Sequence, residues 1–235
     1  MDKKSVALIE FTGKEVATQK VFDTTSQKEA EENGFYRENA VFGPIPVIVG
    51  HGDVLPGLDD ALLEMKEGES RNLKLSAAKG FGERKKELVV IVPLQEFHKR
   101  NIKPGPGLVV DLNGQYGKVQ TVSGGRVRVD MNSDLAGKEV EYELKVVREI
   151  TKPEEKAQLI TEKFFPLKEK AQTKLQGEDL KVKLPKELAK NVAPFVGAFT
   201  KVVREVVPQI KKVEVVEEFD DAAGKQEKSE KKSKK

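Results

Sequence analysis

The sequence predicts an α+β protein of more than one domain, and three observations carry that prediction. Strand-like alternation of apolar and polar residues fills 5–22, 71–76 and 138–150, with only short helical stretches between. A run of short strands punctuated by Asn113-Gly114 and Gly124-Gly125 reads as a meander of its own. At Thr151-Lys152-Pro153-Glu154 the texture turns Lys/Glu-rich and poor in glycine, which marks a domain boundary. At 235 residues the chain can hold two or more cores, since domains commonly run to about 100–150 residues.

The elements follow in order. Residues 5–22 give two strands, one through Val6, Leu8, Ile9 and Phe11 and one reaching Val21-Phe22, parted at Gly13. Ser26 caps a short polar helix to Glu32, with Glu29 three residues on. Gly43-Pro44-Ile45-Pro46 opens a strand through Val49, and the prolines make it an edge strand because proline has no N–H for a ladder. Pro56-Gly57 then ends an apolar run. Leu58, Ala61, Leu62 and Met65 fall at helical spacing, with Gly68 as the stop.

Arg71–Ser76 alternates, and Gly80-Phe81-Gly82 breaks the chain again. Leu88–Val92 is a continuous apolar strand, Leu94–Phe97 one helical turn, and Lys103–Gly107 a loop. The meander strands lie at 108–110, 119–122 and 127–131. Residues 138–150 form a long half-buried strand through Val140, Tyr142, Leu144 and Val146. Thr151 as N-cap and Pro153 in the first turn start a helix. A hairpin turns at Gly177, Lys186 to about Val207 is an amphipathic helix disturbed at Pro194, and Val213, Val215 and Val216 make the last strand.

Composition removes whole classes of function. No apolar run approaches the roughly 20 residues of a bilayer span. Met1-Asp2-Lys3-Lys4 leads straight into a strand with no signal-peptide core, so a cytoplasmic protein with no membrane partner is expected. With no cysteine, disulfides, thiolate catalysis and Cys-ligated metals are excluded. The net charge of +3 resides in residues 221–235, where six lysines face one Asp and two Glu, a surplus of three. The rest is close to neutral, which disfavours a nucleic-acid partner, and the tail reads as disordered.

Catalytic constellations are missing as well. His51 and His98 match no metal spacing and read as surface or loop histidines, so no metal or cofactor is expected. No phosphate loop, nucleophile elbow or HExxH is present. What remains is an apolar and aromatic set, Phe11, Phe22, Val54, Leu55, Leu58, Phe81 and Tyr142, with one notable acid, Asp23.

Six segments then line up in order: Phe11-Thr12-Gly13, Val21-Phe22-Asp23-Thr24-Thr25, Val54-Leu55-Pro56-Gly57-Leu58, Met65-Lys66-Glu67-Gly68-Glu69, Gly80-Phe81-Gly82-Glu83 and Val140-Glu141-Tyr142-Glu143-Leu144. In that order they resemble the FKBP-type peptidyl-prolyl isomerases, over about residues 1–84 and 130–150. The meander sits where SlyD-like members carry an insert-in-flap domain, and Asn132–Lys138 resembles their return segment. With its C-terminal extension the chain resembles the archaeal long-type FKBPs. The implied fold is an FKBP-like antiparallel sheet wrapped on a short helix, with an inserted small β-rich domain and a C-terminal α+β domain. The implied boundaries are 1–87 plus 130–150 for the isomerase domain, 88–129 for the insert, 151–220 for the C-terminal domain and 221–235 for the tail.

The implied activity is cis–trans isomerisation of X-Pro bonds combined with chaperoning of unfolded or nascent polypeptides. Its physics needs no acid, base or nucleophile. Amide resonance sets a barrier of about 18–20 kcal/mol, and the planar amide is more polar than the twisted one. A dry pocket removes water's preference for the planar form, and a ten-thousandfold acceleration needs only about 5.4 kcal/mol. By the resemblance, Phe11, Phe22, Leu58, Phe81 and Tyr142 wall the proline site, with Val54 beside them. The Leu55 N–H holds a substrate carbonyl and Asp23 polarises the rim. Ile45, Leu135 and the insert residues Val90, Val92, Leu94 and Phe97 are the further substrate-binding positions, the last four as exposed apolar strand residues. Leu58 stands where relatives often have Trp, Phe11 and Phe81 where Tyr is common, and Tyr142 where Phe is common. The resemblance also implies a homodimer, formed through the C-terminal domain and its helix face of Val192, Phe195, Val196, Phe199, Val202 and Val203.

Overall fold

Three sheets organise the protein in a computed structural model that describes residues 1–38, 40–165 and 171–218. The expected tail, 221–235, lies outside the described residues. In the first sheet the axis is β1 (Val6–Glu15). It pairs antiparallel with β9 (Val140–Ile150) on one side, from Val6 opposite Ile150 to Glu15 opposite Val140. On its other side lie β3 (Ile45–Ile48) at its start and β2 (Val21–Thr24) at its end. The strand β4 (Ser70–Leu75) completes the order β2-β1-β9-β4. As the prolines demand, β3 is an edge strand, with Pro46 opposite Leu8.

The expected break at Gly13 is absent, and β1 runs straight through it. Glycine serves there for space rather than for a turn. A Cβ on residue 13 would lie 2.8 Å from Tyr142 Cε1 and 2.9 Å from Phe22 Cζ.

On the front face of this sheet lies α2 (Pro56–Glu64), which buries Leu58, Ala61 and Leu62 against Ala7, Ile9, Val47, Leu144 and Val146. The helix stops at Glu64, before Gly68. Met65 turns extended so that its side chain, fully buried, can enter the core. The Met1 amino nitrogen donates to the carbonyls of Leu63 and Met65 at 2.9 and 3.0 Å. Gly68, at φ +80°, makes the following turn and donates its N–H to the Val146 carbonyl at 2.8 Å. The short α1 (Gln27–Glu32) is capped as expected, with Ser26 Oγ accepting from the Glu29 N–H.

Between β4 and β9 the chain builds a second sheet. Its strands are β5 (Val89–Pro93), β6 (Val109–Leu112), β7 (Gln115–Ser123) and β8 (Arg126–Asp130), in the order β5-β8-β7-β6. With α3 (Leu94–Lys99) they enclose a core of Phe97, Val110, Val119, Val127 and Val129. Asn113 and Gly114 both have positive φ, 57° and 84°, as a two-residue hairpin turn requires.

The last unit comprises α4 (Pro153–Phe164), the hairpin β10 (Gln172–Gln176) and β11 (Asp179–Pro185), then α5 (Lys186–Val206) and β12 (Lys212–Glu218), which pairs parallel to β11. Lys152, not Thr151, is the N-cap of α4, and no side chain bonds it. Pro153 at the first helical position has no N–H to satisfy, which lessens the need for a cap. The helix α5 continues through Pro194, which lies on its exposed side, where water can serve a carbonyl that proline leaves unpaired.

This unit is not merely tethered to the first sheet. Val6, Ile48 and Ile150 leave the back of that sheet to join Ala157, Ile160, Phe199 and Val203 in one core. A bulge makes this possible. Opposite Leu8 and Ile9 of β1 the partners are Arg148 and Val146, so Val147 is an extra residue. Ahead of the bulge Val146 faces front, and beyond it Ile150 faces back. No described helix is long and apolar enough to cross a membrane.

Candidate active site

The front of the β2 end of the first sheet gathers the aromatic residues. Between Gly13 and Lys14 the pairing with β2 shifts from Asp23 to Val21, which leaves Phe22 as a bulge residue. A bulge re-aims a side chain, and here the Phe22 ring turns over Gly13. There it meets Tyr142 edge-on, with centroids 5.7 Å apart, and Phe81 at 5.5 Å. Phe11 reaches the same Tyr142 ring at 5.8 Å. Such tilted and edge-to-face pairs are the favoured aromatic geometries.

Leu58, 2% exposed in the first turn of α2, and Tyr142, also 2% exposed, form the buried floor. Phe11, Phe22, Phe81, Val54, Leu55, Ile45 and Leu135 pack half-buried around them, so the structure brings these sequence-predicted positions into one apolar cluster. The Leu55 carbonyl accepts from the Leu58 and Asp59 N–H groups at 2.9 and 3.0 Å. Its own N–H, at the mouth of α2, makes no bond to another described residue.

The polar content of the site is small. Asp23 stands at the exposed rim, opposite Gly13, which in turn lies opposite Tyr142 in the strand order. Burial against the apolar wall pushes its carboxyl up from the ordinary range, although the Thr24 N–H pulls the other way. Burial, and secondarily the charge of Asp23, push the Tyr142 phenol well above its usual value. Tyr142 therefore stays protonated and offers a hydrogen-bond donor inside an otherwise apolar cluster.

Two threonines absent from the expected site set hold this wall in place. The Phe11 N–H donates to Thr25 Oγ1 at 2.9 Å, and its carbonyl accepts from the Thr25 N–H at 2.9 Å and from Thr24 Oγ1 at 3.1 Å. Both hydroxyls are buried, and they fasten the end of β2 to β1 beside the ring cluster. The only sequence signal was their place in the motif directly after Asp23.

The insert corrects part of the expectation. Phe97 is 3% exposed and belongs to the core, not to an exposed strand. Val90, Val92 and Leu94 are half-buried against that core. Phe97 of α3 shares that core with them. Val90, Val92 and Phe97 nonetheless border a groove of about 380 Å³, completed by Ile102, Leu112 and Met131 with Glu96, Arg100 and Asp111 at its edge. The exposed apolar residues of the insert are Ile91, Leu108, Val109 and Tyr116, none of which the sequence reading singled out.

Comparison with known proteins bears on the same two regions. The family model of the FKBP-type peptidyl-prolyl cis-trans isomerases matches residues 1–105. The chain is 32% identical over 127 residues to the short-type peptidyl-prolyl cis-trans isomerase of Methanocaldococcus jannaschii, an alignment that covers 54% of this chain and 81% of that protein. The chain belongs to the FKBP-type peptidyl-prolyl cis-trans isomerases. A second family model, described as "FKBP26, IF domain", matches residues 90–135 of this isomerase, the span of the second sheet. The SlyD isomerase of Treponema pallidum is 33% identical over 118 residues, covering 47% of this chain and 66% of its own. That of Helicobacter pylori is 26% identical over 156 residues, covering 64% and 77%.

Proposed function

We propose that this FKBP-type isomerase acts on X-Pro bonds of unfolded or nascent polypeptides and also chaperones them, with the 88–129 insert as the client-holding part. One observation carries the catalytic half: the Tyr142 and Phe22 rings close over Gly13 and pack with Phe11, Phe81 and Leu58 in one apolar cluster, with Asp23 at its rim. A proline ring seated there leaves water behind. The twisted amide, less polar than the planar one, gains from that loss, and no covalent intermediate forms. The Leu55 N–H is poised to hold the substrate carbonyl, Asp23 sets the polarity of the rim, and the Tyr142 hydroxyl supplies a second donor.

Each of these polar contacts is worth roughly 1.5 kcal/mol, about tenfold in rate. Turnover of a proline-containing tetrapeptide should therefore fall about tenfold in Tyr142→Phe and by a similar factor in Asp23→Ala. Variants as fast as the wild type would remove those two roles.

The chaperone half rests on the apolar groove beside β5 and on Ile91, Val109 and Tyr116, exposed elsewhere on the same insert. Extended apolar segments of a client can pair with an exposed strand edge or lie in a groove. Replacing residues 88–129 with a short linker should spare tetrapeptide turnover and cripple catalysis on a proline-limited folding protein. Equal loss in both assays would sink this division of labour. The opposing reading, a holdase without turnover, is decided by the same tetrapeptide assay. Dimerisation through the C-terminal unit has one supporting feature, Phe195 on α5, which stays 57% exposed while Val192, Phe199, Val202 and Val203 are buried. A light-scattering mass of the intact chain, compared with a Phe195→Glu variant, tests it.

A further inference from the structure

A buried carboxylate stands where the insert joins the isomerase body. Asp130, 4% exposed at the end of β8, is ion-paired with Arg84 of the outgoing segment. Its Oδ2 also accepts from Gln120 Nε2 at 2.7 Å, and its Oδ1 from the N–H and Nδ2 of Asn132 at 2.9 and 2.8 Å. Gln120 lies where the β7–β8 register shifts between Val119 and Thr121, so the bulge frees it for this contact. Asn132 in turn holds the outgoing segment by both backbone groups of Lys85. Its Oδ1 accepts from the Lys85 N–H at 2.8 Å and its Nδ2 donates to the Lys85 carbonyl at 2.9 Å.

One carboxylate thus binds three pieces of chain: the outgoing segment, the return segment and the insert's own sheet. Burying a charge costs several kcal/mol unless it is fully partnered, so the arrangement holds only while all three pieces keep their positions. The segments it joins continue directly into the pocket. Arg84 follows Phe81, and Asn132 precedes Leu135, both of which pack in the proline-site cluster.

We propose that Asp130 is a positioning residue that sets the orientation of the insert over the proline pocket, and so the efficiency with which an insert-held polypeptide presents its X-Pro bonds. The proposal rests on the reading of the insert as the client-holding part. Once a client is held, its proline reaches the pocket at an effective concentration set by geometry, and a loosened joint spreads the insert over more orientations. A short peptide that never touches the insert is unaffected.

The test uses the full chain. It has no cysteine, so cysteines placed at the exposed Lys20 and Ser123 carry a label pair that reads body-to-insert distance. Asp130→Ala should broaden that distance distribution and raise KM for a proline-limited folding protein about tenfold, with its kcat and the tetrapeptide turnover within about twofold of wild type. Arg84→Met, at a half-exposed position that leaves the insert's own sheet intact, should shift both readouts in the same direction by less. An unbroadened distribution in variants whose β7–β8 amide signals persist would overturn the proposal, as would a parallel fall in tetrapeptide turnover. If the linker replacement of residues 88–129 itself leaves client KM unchanged, the client-holding reading fails instead, and the distance distribution alone judges Asp130.

Discussion

A methyl group at position 13 would have to displace two rings that lie within 2.9 Å of it, Tyr142 and Phe22. Both belong to the pocket wall, and Tyr142 also touches Phe11. Gly13→Ala should therefore cost about 1–3 kcal/mol through overpacking and reduce tetrapeptide turnover, with the near-ultraviolet signal of the aromatic cluster changing in step. Unaltered turnover would mean the rings can part without harm. The sequence shows Gly13 as punctuation because an isolated glycine in a strand pattern looks like a break. Its real constraint is the approach of rings from two other strands, which alternation along one strand cannot reveal. The ring residues themselves were legible, because their order along the chain matches a known pattern. Thr24 and Thr25 were not, since a hydroxyl that fastens a neighbouring strand looks like any other threonine.

The element that decides how the sheet is used is β9. Its alternation from Val140 to Val146 was plain in the sequence, and it correctly marks one buried face. The bulge at Val147 was not legible. One extra residue in an apolar pair, Val146-Val147, leaves no mark on composition and alters only the register against β1. Yet that residue delivers Ile150, 1% exposed, to the back of the sheet. Deleting Val147 should turn Ile150 toward the front and cost roughly 2–4 kcal/mol, as loss of a buried aliphatic contact does. Urea unfolding would register it, and a midpoint equal to wild type would show that the back core closes without Ile150. The short helix α2 teaches a related lesson. Its spacing was readable, but its end was not, because Met65 leaves the helix for the sake of its own burial rather than at a glycine.

Across the whole molecule, the composition change near Thr151 coincides with the passage from β9 to α4, but it suggested two separate cores where one crosses the junction. A period-2 pattern tells which residues share a face and not what covers that face. A polar link reinforces the junction. Asp53, in the turn after β3, is ion-paired with Lys163 of α4 and accepts from the Ile48 N–H at 2.8 Å. Burial alone would raise its carboxyl, but Lys163, the Ile48 N–H and His51 together hold it below the usual carboxylate range. A lowered folded-state value means the link contributes fully above the unfolded value of about 4 and is lost as pH falls through the folded one. Lys163→Met should then be less stable than wild type by about 1 kcal/mol at pH 7, and the gap should close as pH falls from the unfolded value of about 4 through the lowered folded one. A gap that stays constant over that range would assign the effect to packing instead.

The pairing of the first strand with the last strand of the catalytic sheet has a consequence for the order of synthesis. All four strands of the insert lie within residues 89–130, so it can fold as soon as that stretch leaves the ribosome. The catalytic sheet cannot close until β9 arrives, because β1 waits for it across the entire insert and Tyr142 rides on it. Limited proteolysis of ribosome-bound chains long enough for the insert, but not β9, to have left the exit tunnel should find the insert protected and β1 open. On the ribosome, the inserted sheet is complete before the catalytic sheet that surrounds it in the chain.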